Sequence, residues 1–283
     1  MINKEAILKC IEDPMDQYQQ NMTEALGDWK ELLDASEKLL AGKVVRDDEL
    51  SPPFRPMVKM MRLIMQVTKE SEWNWSNPAA QEIFKDKSKS KIYKIFTEAI
   101  VGIVSSIIRT VEIGTLVEIG TGPGQVTSSL CKEMIENNIN IPIVISDRAP
   151  SISQTGENLR KSFPSLTIDD FIWDIRENPP KELTATLTTP VLLFERFCLP
   201  YAGYIAINRI GPIADILVME DDLNLTGKKE APDVIYEKIG AQFLTFKEAK
   251  KHLGKHFSLI HTCDKKNIES INAIVTTFTL AIK

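Results

Sequence analysis

A basic excess, paired cysteines and a metal-binding set of histidines are all missing from this sequence, and each absence removes a class of function. The net charge is −5, with acids and bases mixed along the chain. No basic face is offered to a nucleic acid. The four cysteines, Cys10, Cys131, Cys198 and Cys263, lie far apart and without C-x-x-C spacing. That argues against a disulfide frame or a zinc site, and for reduced, mostly buried thiols in a cytoplasmic protein. There are three histidines, His252, His256 and His261. The first two sit four apart on a lysine-rich helix end, where they should be solvated, and the third falls in a late strand near a sheet edge. No carboxylate spacing turns them into a metal site, and none is a convincing general base. The longest apolar stretch, Ala99 to Ile108, is interrupted by Gly102, Ser105 and Ser106 and is too short to span a bilayer. It reads as a core helix, so no membrane partner is expected. The chain is charged from Lys4 and Glu5 onward, and no signal peptide is expected.

What is present is concentrated in residues 116–124, Leu-Val-Glu-Ile-Gly-Thr-Gly-Pro-Gly. A short apolar run carries one acid, Glu118, and ends in Gly120-x-Gly122-x-Gly124. A helical pattern follows from Gln125, with Val126, Leu130, Cys131 and Met134 on one face. Strand, glycine turn and helix bring bare backbone against a ligand at the carboxyl end of a first strand. Glycine is needed because such a turn visits positive φ and because a Cβ would fill ligand space. The dinucleotide fingerprint requires glycine three residues after Gly122, and that residue is Gln125. Further along, Ile141 to Ser146 reads as a second strand ended by Asp147, an acid placed to accept ribose hydroxyls. Ile168 to Trp173 reads as a third, closed by Asp174 and Ile175.

An acid before G-x-G-x-G, with acids closing the next two strands, resembles the class I S-adenosylmethionine-dependent methyltransferases. The resemblance covers about residue 111 to the end. It implies an α/β fold: a seven-stranded, doubly wound, mostly parallel sheet with an antiparallel edge pair. It further implies that S-adenosylmethionine, and S-adenosylhomocysteine as product, is held by Glu118, Gly120, Thr121, Gly122 and Gly124 at the turn. Asp147 and Arg148 follow the second strand. Trp173, Asp174 and Ile175 follow the third, where the acid and the next backbone N–H would hold the adenine. Thr188 would touch the methionine portion.

Residues 1–110 read as an all-helical cap that binds the acceptor, and residues 111–283 as the cofactor-binding domain. In the cap, Ala6, Ile7, Cys10 and Ile11 make a short helix stopped near Pro14. Tyr18, Met22, Leu26, Trp29, Leu32 and Leu33 follow one longer helix. Pro52, Pro53 and Pro56 break the pattern before an apolar helix over Met57 to Val67. That methionine-rich helix reads as core or as a pliable lid. Trp73 and Trp75 are candidate pocket walls. For the fourth strand, Ala185 to Thr189 is preferred, with Val191 to Phe197 as the alternative. Ala214 to Met219 is the fifth, Val234 to Leu253 a helix, and Phe257 to Thr262 and Ile274 to Ile282 the closing pair.

Methyl transfer from a sulfonium is an in-line displacement by an already activated donor. The protein must therefore orient the acceptor and exclude water, and needs a base only if the acceptor loses a proton. Glu195 and Arg196 either face the acceptor or pair with each other on a helix surface, the latter being preferred. Tyr201 and Tyr204 read as core or pocket lining. No catalytic residue is named. The expected activity is methyl transfer to a small, partly apolar metabolite at oxygen, nitrogen or carbon. The alternatives are an aminopropyl transferase on the same sheet, or a scaffold that binds the cofactor without turnover. The sequence leaves the acceptor open, and also whether the chain forms a homodimer.

Overall fold

Thr115 to Ile119 is buried along its whole length and forms β1 (Thr115–Ile119), on which the sheet is built. The computed structural model describes residues 2–26, 30–71, 78–79, 82–83, 91–196, 198–224, 229–262 and 274–283. On one side of β1 lie β2 (Ile143–Asp147) and β3 (Ile168–Ile172). On the other lie β4 (Val191–Arg196) and β5 (Ile216–Asn224), all five parallel. β7 (Ile274–Ile282) runs antiparallel between β5 and the edge strand β6 (Leu259–Thr262), giving the order β3-β2-β1-β4-β5-β7-β6. The order reverses between β1 and β4, so a crevice opens at their carboxyl ends, where open α/β sheets bind ligands.

Helices cover both faces, because parallel strands are apolar on both sides. One face carries α1 (Lys4–Cys10), α2 (Glu12–Leu26), α5 (Lys91–Thr110), α6 (Gln125–Glu136) and α7 (Ile152–Ser162). Ile7, Tyr18, Ile103, Leu130 and Leu159 share a core there with Leu116, Phe194 and Phe278. The other face carries α8 (Lys181–Thr186), α9 (Leu199–Ala202), α10 (Tyr204–Ile210) and α12 (Phe246–Leu253), through Leu183, Leu199, Ile207 and Leu253. A third core joins α3 (Lys30–Leu40) and α4 (Arg55–Val67) to α11 (Ala231–Glu237), with Leu32, Val58, Met61, Ile64 and Ile235 inside. Met60 and Met61 are buried there, so these methionines fill a core. In sequence a division at residue 110 separates the helices from the glycine turn. In packing, α1, α2 and α5 belong to the sheet, and α11 belongs with α3 and α4.

Four local readings change. The fourth strand is Val191–Arg196, while Ala185 and Thr186 end α8. Val191 to Phe194 can bury both faces between β1 and β5, whereas the threonine-rich stretch cannot. Pro190, which lacks an N–H, stands just outside the strand, and its carbonyl accepts from Gly114 N at 2.8 Å. Pro14 does not stop a helix. It lies in the first turn of α2, where no N–H is needed. Tyr18 and Leu32, read as one stripe, enter separate cores. The helix expected over Val234 to Leu253 is two, α11 and α12, divided where Gly240 takes φ +81°.

Candidate functional site

The glycine turn is fastened to the end of β2. Ser146 O accepts from Gly120 N at 2.8 Å and from Thr121 N at 3.2 Å. Asp147, the last residue of β2, accepts from Gly122 N at 3.0 Å and from Ala149 N at 2.9 Å. Gly120 and Gly122 have φ of +74° and +54°, a region that side chains disfavour. They answer different needs. A Cβ on Gly120 would stand 2.8 Å from Cys198 Sγ, just past the carboxyl end of β4. A Cβ on Gly122 would meet nothing within 4 Å, so this bare backbone faces open space at the crevice. Thr121 is buried, its hydroxyl donating to the Ser146 carbonyl at 3.3 Å.

Beneath the turn lies a buried polar cluster. Glu118, 1% exposed, takes a hydrogen bond from the hydroxyl of Thr127 in the first turn of α6. Burial pushes its carboxyl up to about 7, against the pull of Thr127 and Arg196. Arg196, at the end of β4, stands level with Glu220 on β5. The two form a bidentate pair, Nε to Oε2 at 2.5 Å and Nη2 to Oε1 at 3.0 Å. Tyr93 of α5 lies over this pair, its hydroxyl 3.4 Å from Arg196 Nη1 and its ring centroid 4.9 Å from Cζ. A cation held by two partners at this depth is costly to uncouple. Neither Tyr93 nor Glu220 is a candidate on sequence grounds. The only signal is an acid just after the apolar run Ala214 to Met219. The strand continues through it to Asn224, and it gains meaning once the register places it beside Arg196. Glu195 and Arg196 point to opposite faces of β4 and do not pair. Glu195 accepts instead from Cys198 N at 3.0 Å.

Tyr93 also borders a cavity of about 530 Å³, walled by Thr97 of α5, Gly124, Gln125 and Ser128 at the start of α6, and Asn158 of α7. This cleft adjoins the glycine turn on the face that carries α5, α6 and α7.

At the end of β3, Trp173 N donates to Asp147 O at 3.0 Å, joining the second and third strand ends. The Trp173 side chain is core, its indole N–H donating to Glu177 O at 3.2 Å. Ile175 is buried beside it. Asp174 is bonded by Arg176 through N at 3.0 Å and Nε at 2.9 Å, which holds its carboxyl below the usual range. Arg148 is exposed on the loop after β2. The structure thus brings together Glu118, Gly120, Thr121, Gly122, Gly124, Asp147 and Arg148 at one end of the sheet, with Asp174 and Ile175 at the neighbouring strand end.

Thr188 is displaced from this group. Its N–H and carbonyl both bond the Thr115 hydroxyl, at 2.7 and 3.1 Å, at the amino end of β1. The misplaced fourth strand is the cause: with Val191 opening β4, Thr188 precedes the strand instead of ending it. Tyr204 is half exposed and stacks on His252 at 4.6 Å. His256 is less solvated than its lysine-rich neighbourhood suggested. Gly211 packs against its ring, and its Nε2 is buried with no partner among the described residues. Trp73 and Trp75 lie outside the described residues. Among the described residues, no three His, Cys, Asp or Glu side chains gather as a metal site. No described helix is long and apolar enough to cross a membrane.

No family model and no curated protein matches this sequence. Solved structures do resemble the fold. The citrinin polyketide synthase CMeT domain superposes with a TM-score of 0.74 at 13% identity, covering 100% of this chain and 98% of that one. The DszA carbon methyltransferase gives 0.63 at 12% identity, over 98% and 87%. An O-methyltransferase family protein from Burkholderia thailandensis gives 0.55 at 10%, over 81% and 72%. Strand order, glycine turn and these superpositions agree that the chain has the class I S-adenosylmethionine-dependent methyltransferase fold.

Proposed function

We propose that the protein is a methyltransferase that binds S-adenosylmethionine at the glycine turn and methylates a small, partly apolar acceptor. The observation that carries this reading is the bare backbone of Gly122. It opens on the crevice while its N–H is fixed to Asp147, so a ligand can approach the turn with an acid beside it. The donor supplies a methyl group already activated by the positive charge on sulfur. The chain's own residues then bind and orient. Gly120 to Gly124 offer backbone to the methionine portion. Asp147, held by the Gly122 and Ala149 N–H groups, is preset to accept ribose hydroxyls. Asp174 and the Ile175 N–H face the adenine, with Arg148 nearby. Asp174 would exchange its bond from Arg176 for one from the exocyclic amino group.

Acceptor selection falls to groups around Tyr93 and the adjoining cleft, under helices that exclude water. Similarity to proteins described as a carbon methyltransferase and an O-methyltransferase family protein supports transfer to carbon or oxygen. The test is calorimetric binding of S-adenosylhomocysteine to the wild type and to Gly122→Val. The expected result is saturable binding that the variant loses while its circular dichroism is unchanged. Unaltered affinity in the folded variant would place the cofactor elsewhere. Methyl transfer from labelled donor into a panel of hydroxyl and carbonyl-activated acceptors would then separate an enzyme from a binding scaffold.

A further inference from the structure

Among the described residues, the buried cluster beneath the glycine turn holds more carboxylates than cations. Two carboxylates, Glu118 and Glu220, share a single guanidinium, and Glu220 takes it with both oxygens. Glu118 is left with the hydroxyl and backbone N–H of Thr127, in a site from which water is excluded. Around it stand Thr127 and Cys131 from α6, Arg196 from β4, Glu220 from β5, Asp147 from β2 and Tyr93 from α5. Arg196 is the one cation among these, already neutralised, and Asp147 adds a second negative charge. A buried carboxylate so placed ionises reluctantly until positive charge arrives. The same Thr127 hydroxyl suits both forms, since it can donate to a carboxylate or accept from a carboxylic acid.

Glu118 stands one strand position before Ile119 and the turn at Gly120, so whatever occupies the turn sets its electrostatic surroundings. Resting on the cofactor reading above, we infer that Glu118, buried beneath the turn on the Thr127 hydroxyl with its neighbouring guanidinium taken by Glu220, holds a proton in the cofactor-free protein and releases it when the cationic donor binds. The Glu118 O–H bond breaks, the proton leaves to solvent, and the carboxylate remains as counter-charge to the ligand. S-adenosylmethionine carries a sulfonium besides its ammonium, and S-adenosylhomocysteine has lost the sulfonium. The donor therefore drives the release further than the product does. Rising pH strengthens donor binding more than product binding, and product departure is eased by re-protonation. Glu118 becomes a positioning residue that reads ligand charge.

The experiment is calorimetry of the full chain with S-adenosylmethionine and with S-adenosylhomocysteine, in the absence of acceptor, at pH 6 and pH 8. Buffers of different ionisation enthalpy are used to count protons. A site half-ionised near pH 7 gives about a tenfold gain in donor affinity between those pH values, with close to one proton released per site at pH 6. The product should gain less. Glu118→Gln should flatten the dependence. The ligands' own amino groups titrate with both proteins and cancel in that comparison. If Glu118→Gln fails to fold, infrared difference spectroscopy of the wild type gives a second reading: a carboxylic-acid carbonyl band at pH 6 that disappears on adding donor. Donor binding without proton release, or with the pH dependence intact in Glu118→Gln, overturns the linkage alone. Failure of both ligands to bind at any pH overturns the linkage and the cofactor reading together.

Discussion

The two halves of the amino-terminal helices make an instructive pair. α1, α2 and α5 press on the sheet: Tyr18 meets Phe278 of β7 edge-on at 4.8 Å, and Ile100, Ile103, Val104 and Ile107 are wholly buried. α3 and α4 bury Leu32, Leu39, Val58 and Met61 against one another and against Ile235 of α11. Both read as amphipathic helices in sequence. Yet one set is a layer of the cofactor domain, and the other is a satellite hung on a helix that follows β5. Helical periodicity reports that a stripe is buried and is silent on what buries it.

The contrast is broken most severely by deleting residues 1–110. Burying each of the four α5 residues above stabilises by about 1.5–3 kcal/mol, so the set contributes about 6–12 kcal/mol, comparable with a domain's net stability. The remaining chain should show no cooperative thermal unfolding. A sharp transition in residues 111–283 would mean that the sheet's helix layer is dispensable.

Next in size is the cluster where α5 meets the sheet. Arg196→Ala leaves Glu118 and Glu220 buried without a cation and should cost about 3–5 kcal/mol in urea denaturation. Replacing both partners by apolar residues, Arg196→Met with Glu220→Leu, should recover much of that loss, because desolvation of the pair is then avoided. Equal destabilisation by the single and double variants would show that the pair does more than neutralise itself.

Single truncations sharpen the comparison. Ile103→Ala and Met61→Ala each remove a side chain that is 0% exposed, and each should cost about 2–5 kcal/mol within its own core. Hydrogen exchange should separate them. Met61→Ala should loosen α3, α4 and α11 while β1 and β4 keep their protection, whereas Ile103→Ala should lower protection throughout the sheet. Uniform loss in both variants would make the satellite part of the same cooperative unit.

These distinctions bear on what the sequence can disclose. The placement of the glycine turn, Glu118 and Asp147 at one end of the sheet was legible because they lie within one βαβ unit, where strand length and connection length fix the distances. β4 was not. Its charged end, Glu195-Arg196, mimics a helix surface until Glu220 is placed opposite, and that misreading carried Thr188 to the wrong end of the sheet. Tyr93 and Arg196 lie 103 residues apart, and no local pattern joins them. Leu32 and Ile235 share a core from opposite ends of the chain for the same reason. Local periodicity finds elements, and only register and packing say which charges meet.

The smallest expected effect lies in α11 itself, where the satellite is anchored. Asp233 is 2% exposed and closes a capping box, accepting from Glu230 N at 2.9 Å. Burial pushes its carboxyl up to about 6, from an ordinary 3.8. With the folded value above the unfolded one, the stabilising contribution is fully present below pH 3.8. It is lost as pH rises through about 6. Between pH 5 and pH 7.5 the α3, α4 and α11 unit should therefore open more readily as pH rises, read as faster amide exchange in α11 after correction for intrinsic rates. Asp233→Asn keeps an oxygen to accept from Glu230 N and removes the ionisation, so it should abolish that trend while leaving the helix intact. β1 and β4, which share no core with Asp233, should show no such change in the variant. A trend of the same size in Asp233→Asn would assign it instead to Glu230, its partner in the capping box, whose carboxyl burial also raises.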